Sequence, residues 1–126
     1  MPDDAPSSFT INDRDAIADW KYQRSTEVTG TVVIPGRIAS IGNHAFMYCK
    51  QLKAVVLEDG VTTIGGGAFC LCTALASVSI PDSVTEIGQG AFDNTALKAV
   101  SIPAAADYDT SYSASFPPGC VVTRRA

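Results

Sequence analysis

Charge is scarce in this chain. Of 126 residues, 9 are Lys or Arg, 13 are Asp or Glu and one is His, giving a net charge of −4. Binding nucleic acid needs clustered cations that displace phosphate counterions. The one basic doublet, Arg124-Arg125, reads as solvated tail charge, so no nucleic-acid partner is expected. A single His excludes any His pair. Gly-x-Ser-x-Gly, Walker and His-Glu-x-x-His patterns are missing. The acidic pairs Asp13/Asp15 and Glu58/Asp59 fall in turn-forming stretches, where Asp caps backbone groups. No catalytic residue and no cofactor is assigned.

Long apolar runs are also missing. None approaches the roughly 20 residues that span a bilayer, so no membrane insertion is expected. The start, Met1-Pro2-Asp3-Asp4-Ala5-Pro6-Ser7-Ser8, lacks the basic residues and apolar stretch of a signal peptide. Residues 1–8 are expected to be a flexible or disordered tail. That start fits either a cytoplasmic protein or a piece of a longer one.

The chain does hold 46% hydrophobic residues, enough for one packed domain over residues 9–126. Its organising feature is a repeat. Ile-Gly-x-x-Ala-Phe occurs at Ile41–Phe46, Ile64–Phe69 and Ile87–Phe92, each 23 residues after the last. A fixed period of this length signals stacked coils. Ahead of the phrase lies Leu-x-x-Val-x-Ile-Pro, as in Leu75–Pro81 and Leu97–Pro103, with Leu52–Leu57 and Thr31–Pro35 in the same frame. Ile38, Val61 and Val84 follow as further apolar positions. The coils run 29–51, 52–74, 75–96 and from 97 onward.

Val55/Leu57, Val78/Ile80 and Val100/Ile102 alternate with polar or small residues, the period of a half-buried strand. Pro after the strand ends its ladder. A short second strand is expected at Val61-x-x-Ile64 and its equivalents. Gly after each Ile would permit a sharp bend or a positive φ. Ala-Phe is expected in a 3₁₀ or tight turn, with Phe46, Phe69 and Phe92 forming a column at about 4.8 Å per rung.

This frame resembles the BspA-like subclass of leucine-rich repeats over roughly residues 29–103, with some ten positions recurring in register. The resemblance implies a mainly β, right-handed leucine-rich-repeat solenoid with a parallel sheet on its concave side. It further implies a bacterial surface protein used in adhesion, and so a protein partner such as a host matrix or cell-surface protein.

The ends depart from the repeat. Phe9-Thr10-Ile11 and Ala16–Trp20 flank a turn-rich Asn12–Asp15, read as an N-terminal β-hairpin cap within residues 9–28, with Trp20 and Tyr22 as its lid. Segment 21–27 reads as a polar connection. Residues 104–126 form the C-terminal cap, with Phe116 below Phe92 and a last strand over Cys120–Thr123.

Cys49 and Cys72 each stand three residues after a column Phe and read as buried thiols. The third coil has Asn94 or Thr95 to take over there. Cys49, Cys70, Cys72 and His44 could make a Cys₃His zinc set. Against this, Cys-x-Cys directs its side chains to opposite faces, and His44 stands where Gly67 and Gly90 stand, as in an exposed loop. No metal site is assigned.

The candidate binding residues are the outward side chains of the main strands: Thr31, Val33, Ala54, Val56, Ser77, Ser79, Ala99 and Ser101. A second, aromatic surface would comprise Trp20, Tyr22, Tyr48, Tyr108 and Tyr112. The expected function is non-enzymatic protein binding or adhesion at the cell surface. The alternatives are a structural spacer of a larger surface protein and an intracellular interaction scaffold.

Overall fold

Period-two alternation does produce strands, and they stack coil upon coil. The computed structural model describes residues 9–108 and 114–125; the expected tail over 1–8 and Tyr112 lie outside them. The strands are β1 (Ala16–Ile17), β2 (Gly30–Ile34), β3 (Ser40–Ile41), β4 (Leu52–Leu57), β5 (Thr63–Ile64), β6 (Ser77–Ser79), β7 (Glu86–Ile87), β8 (Ala99–Ile102), β9 (Asp107–Tyr108) and β10 (Val121–Arg124). No helix occurs among the described residues. One side of the solenoid carries the parallel order β2-β4-β6 and the parallel pair β8-β10. A second side carries the parallel order β1-β3-β5-β7-β9.

The third side is a string of turns. Alternate N–H groups bond within the coil: Ala45 donates to Gly42 O (3.3 Å) and Met47 to His44 O (3.2 Å). The others donate to the next coil: His44 to Gly66 O (2.9 Å), Phe46 to Ala68 O (2.8 Å) and Tyr48 to Cys70 O (3.0 Å). This alternation turns the backbone left-handed at every fourth residue. Trp20, His44, Gly67 and Gly90 form one such column, with φ between 58° and 64°. Arg24, Tyr48, Leu71 and Asn94 form the second, with φ between 56° and 65°. A left-handed conformation costs a residue with a Cβ about 1–2 kcal/mol. The coil-to-coil hydrogen bonds therefore enforce it on Trp20, Arg24, His44, Tyr48 and Leu71, while Asn94 N–H bonds the neighbouring Asp93 carboxylate (3.1 Å).

The glycine after each repeat Ile answers a different need from the bend foreseen in the sequence. A Cβ on Gly42 would stand 2.5 Å from Asp19 N, and one on Gly65 2.7 Å from the Gly42 carbonyl carbon. A Cβ on Gly88 would stand 2.5 Å from Gly66 N. Close approach between backbones, not a positive φ, excludes side chains there.

Inside, like residues stack on like. Phe46, Phe69 and Phe92 are each 0% exposed. Ring centroids are 5.2 Å apart for Phe46–Phe69 and 5.3 Å for both Phe69–Phe92 and Phe92–Phe116, with ring planes within 5° of parallel. Phe116 thus takes its expected place. This spacing is close to the strand repeat and lies in the attractive range for aromatic pairs.

The expected N-terminal hairpin is not formed. β1 pairs parallel with β3, Ile17 beside Ile41. Trp20 N–H donates to Asn43 O (3.0 Å) and Tyr22 N–H to Ala45 O (2.7 Å). Residues 17–22 therefore occupy the repeat phrase of a degenerate coil, with Tyr22 in the Phe column, 5.1 Å from Phe46. A hairpin would have left the edge of β3 and the adjoining turn without partners. Trp20 is no lid: it is 46% exposed. Phe9 closes the column instead, edge-on to Tyr22 at 5.1 Å and 89°. Tyr108 meets Phe116 edge-on at the other end, at 5.5 Å and 71°.

Polar clamps hold both end coils. Asp13 accepts hydrogen bonds from Lys21 Nζ (2.6 Å) and the Tyr22 hydroxyl. Arg37 donates to the carbonyls of Ile11 (2.8 Å) and Asp13 (3.1 Å). The Arg124-Arg125 doublet is structural rather than a solvated tail. Arg124 donates to Ala106 O (2.8 Å). Arg125 reaches Ile80 O (2.7 Å), Asp82 (2.8 Å) and Ser101 O (3.0 Å). It bridges β8 to the end of β6, two strands that no ladder joins among the described residues.

Burial pushes the Asp13 carboxyl up, but the bonds from Lys21 and Tyr22 and the Lys21 charge together hold it below the usual range. A lowered folded pKa stabilises above the unfolded value, near 4, and that contribution is lost as pH falls through the folded one. Acid unfolding should therefore begin with a loss of stability below about pH 4 that Asp13→Asn removes, measured by urea midpoints across pH. Phe69→Ala should cost about 3–5 kcal/mol in the same assay; a loss under about 1 kcal/mol would contradict the stacked core.

Candidate functional site

Register sorts the eight outward residues into rows. Thr31, Ala54 and Ser77 form one, and Val33, Val56 and Ser79 the next. Ala99 and Ser101 lie on β8, whose in-register partners are Val121 and Thr123 of β10. Thr31 and Ala54 are half-buried and the other six are exposed. Val33 and Val56 stand side by side at 47% and 36% exposure, an apolar pair among eight uncharged residues. Ser101 is already engaged, since Arg125 donates to its Oγ (3.1 Å). The face is thus apolar toward β2 and hydroxyl-bearing toward β8. Beside Thr31 and Val33 opens a hollow of about 370 Å³, bounded by Phe9, Arg37 and Glu58.

Sequence reasoning missed a second surface. Ser40, Thr63, Glu86 and Asp107 form a row on the other sheet. It borders a hollow of about 510 Å³ floored by Gly65 and Gly88 and edged by Tyr108. Two-residue strands are too short to show alternation. The available signal was the residue immediately before each repeat Ile.

The family model described as "BspA type Leucine rich repeat region (6 copies)" matches residues 7–116. The chain belongs to the BspA-type leucine-rich repeat family. The match takes in the N-terminal segment, in keeping with its coil-like pairing. Among solved structures, a leucine-rich repeat protein from Bacteroides ovatus is similar, at 29% identity over 71% of this chain and a TM-score of 0.62. A leucine rich cell surface protein from Faecalibacterium prausnitzii aligns at 25% identity over 84% of the chain, with a TM-score of 0.40. The chain spans 25% of the first structure's length and 41% of the second's. No curated protein matches the sequence.

Within the BspA-type frame the cysteines behave as packing residues. All four are free thiols. Cys49 Sγ donates to Tyr22 O (3.2 Å) and Cys72 Sγ to Phe46 O (3.0 Å), and both residues are 0% exposed. In the next coil Thr95 bonds its own coil's Phe92 O (2.8 Å), so it does not repeat the cysteines' bond to the preceding coil. The neighbouring Cys49 thiol, reinforced by burial, holds the Cys72 thiol far above its ordinary pKa. Burial raises Cys70 and Cys120, and the Asp93 charge adds to it at Cys70. Thiolate, the reactive form, is suppressed at these three.

His44 is not on an open loop. It is half-buried and stacked under Trp20, with centroids 4.2 Å apart and planes at 11°. Its Nδ1 is buried without a hydrogen-bond partner among the described residues. No group of three or more His, Cys, Asp or Glu side chains converges into a ligand set among those residues.

Exposure, not acidity, should decide labelling: a disulfide-exchange reagent should reach the half-buried Cys70 and Cys120 in the native protein, slowed by their suppressed thiolates. Cys49 and Cys72 should react only at the rate of unfolding. Four thiols reacting in a single phase would contradict this placement.

Proposed function

We propose that this chain is a non-enzymatic protein-binding module, used in adhesion at a bacterial cell surface, that docks partners on the strand face. The observation that carries this reading is the exposed apolar pair Val33 and Val56, held in register on neighbouring strands. Apolar side chains ringed by small polar ones resemble the core and rim of a protein interface. The family's repeats supply the rest: neighbouring coils extend one surface along the solenoid axis, so weak contacts add up over a longer array. No Trp or Arg among the eight residues supplies a strong anchor, and affinity for a single module is accordingly expected to be modest. Host matrix and cell-surface proteins are the partner class.

A structural spacer is the second reading. It is favoured by the engagement of Ser101 with Arg125, which occupies part of the strand face. Binding to immobilised matrix and cell-surface proteins separates the two. The docking reading expects binding that Val33→Ser/Val56→Ser weakens by roughly tenfold, with the unfolding midpoint unchanged. Binding indifferent to that pair, and to Ser77→Arg/Ser79→Arg, removes the strand face and leaves the spacer.

A further inference from the structure

The left-handed turn columns also place side chains that the repeat itself does not explain. In the second column Arg24 lies over Tyr48, its guanidinium carbon 4.5 Å from the ring centroid. Lys50 Nζ lies 5.0 Å from the same centroid. The backbone beneath is fixed by the ladder: Arg24 N–H donates to Met47 O (2.8 Å) and Tyr48 N–H to Cys70 O (3.0 Å). Ser25, Thr26 and Gln51 complete a notch of about 230 Å³. Ser25 Oγ accepts the Glu27 N–H (3.2 Å), which leaves its own proton for an incoming oxygen.

Among the described residues neither cation has an acidic partner. The ion pairs among the described residues are Lys21–Asp13 and Arg125–Asp82. In a chain of net charge −4, two unpaired cations converging on one ring are a local exception. A guanidinium stacked on an aromatic face uses its π surface for the ring, and its N–H fork still points outward in its own plane. That fork matches a carboxylate bidentately, and the nearby ammonium adds charge. Tyr48 therefore orients Arg24 in advance, which lowers the ordering cost of binding.

We propose that Arg24, Tyr48 and Lys50 form a carboxylate-binding notch that seats an acidic side chain of a partner polypeptide. The choice of a polypeptide rests on the strand-face reading. Gln51 directly precedes β4, the strand that carries Val56, so an extended partner segment lying along that strand runs into the notch. The volume suits one acidic side chain and its stem.

The test is a fluorescence anisotropy titration of the full chain with labelled oligoglutamate, alongside oligoglutamine and polygalacturonate. Oligoglutamate should bind and weaken as salt rises, while oligoglutamine should not bind. Arg24→Ala and Lys50→Ala should each weaken binding by roughly tenfold, with the unfolding midpoint unchanged. Arg24→Lys should also weaken it, because an ammonium lacks the planar fork. Val33→Ser/Val56→Ser should weaken oligoglutamate binding far less than Arg24→Ala does, so the notch and the strand face fail separately. Unaltered binding in the Arg24→Ala/Lys50→Ala variant overturns the proposal. So does oligoglutamate binding lost only in the Val33/Val56 variant. Polygalacturonate binding without oligoglutamate binding overturns the polypeptide as ligand.

Discussion

Everything in this molecule depends on hydrogen bonds between coils. Each coil is too thin to bury its own apolar side chains, and its backbone N–H groups would be unpaired without a neighbour. Ladders on the two strand sides and on the turn side satisfy those groups and fix each coil's register on the next. Fixed register forces equivalent residues into contact, so the core is a set of columns. The phenylalanine column lies 5.2–5.3 Å per step because the backbone repeat sets that spacing and the aromatic attraction tolerates it. The same ladder imposes left-handed φ on Trp20, His44, Tyr48 and Leu71, residues that would not choose it alone.

Such an assembly has no intrinsic end, so its termination is a separate problem. Here the aromatic column stops where a ring turns edge-on, Phe9 against Tyr22 and Tyr108 against Phe116. In each case the edge-on ring covers one face of the outermost stacked ring. Around each terminus a charged clamp takes up backbone carbonyls: Arg37 at the first coil, Arg124 and Arg125 at the last. Arg125 also spans the gap between β6 and β8, where the shorter third coil interrupts the sheet.

With inward positions committed to columns, variation is confined to outward ones. Those positions divide into an apolar pair at Val33 and Val56, an acidic row at Glu86 and Asp107, and a cationic notch around Tyr48. Each lies on a different part of the coil.

The sequence by itself determined the fold class, the repeat frame, the buried columns and the burial of Cys49 and Cys72. Periodicity states which positions share a column, and three near-identical copies leave no ambiguity in Ile41–Phe46, Ile64–Phe69 and Ile87–Phe92. It also placed the eight strand-face residues outward, through alternation, and put Phe116 below Phe92. Only the tertiary structure decided the ends and the single-copy side chains. Residues 16–22 carry a hairpin-like pattern in isolation, yet an unpaired edge on β3 draws them into a parallel rung. Arg24 lies in a segment that reads as a polar connection, and His44 in one that reads as a loop. Their positions follow from the backbone of the adjacent coil, 23 or 24 residues away, and a local pattern carries no information about a neighbour that far along the chain.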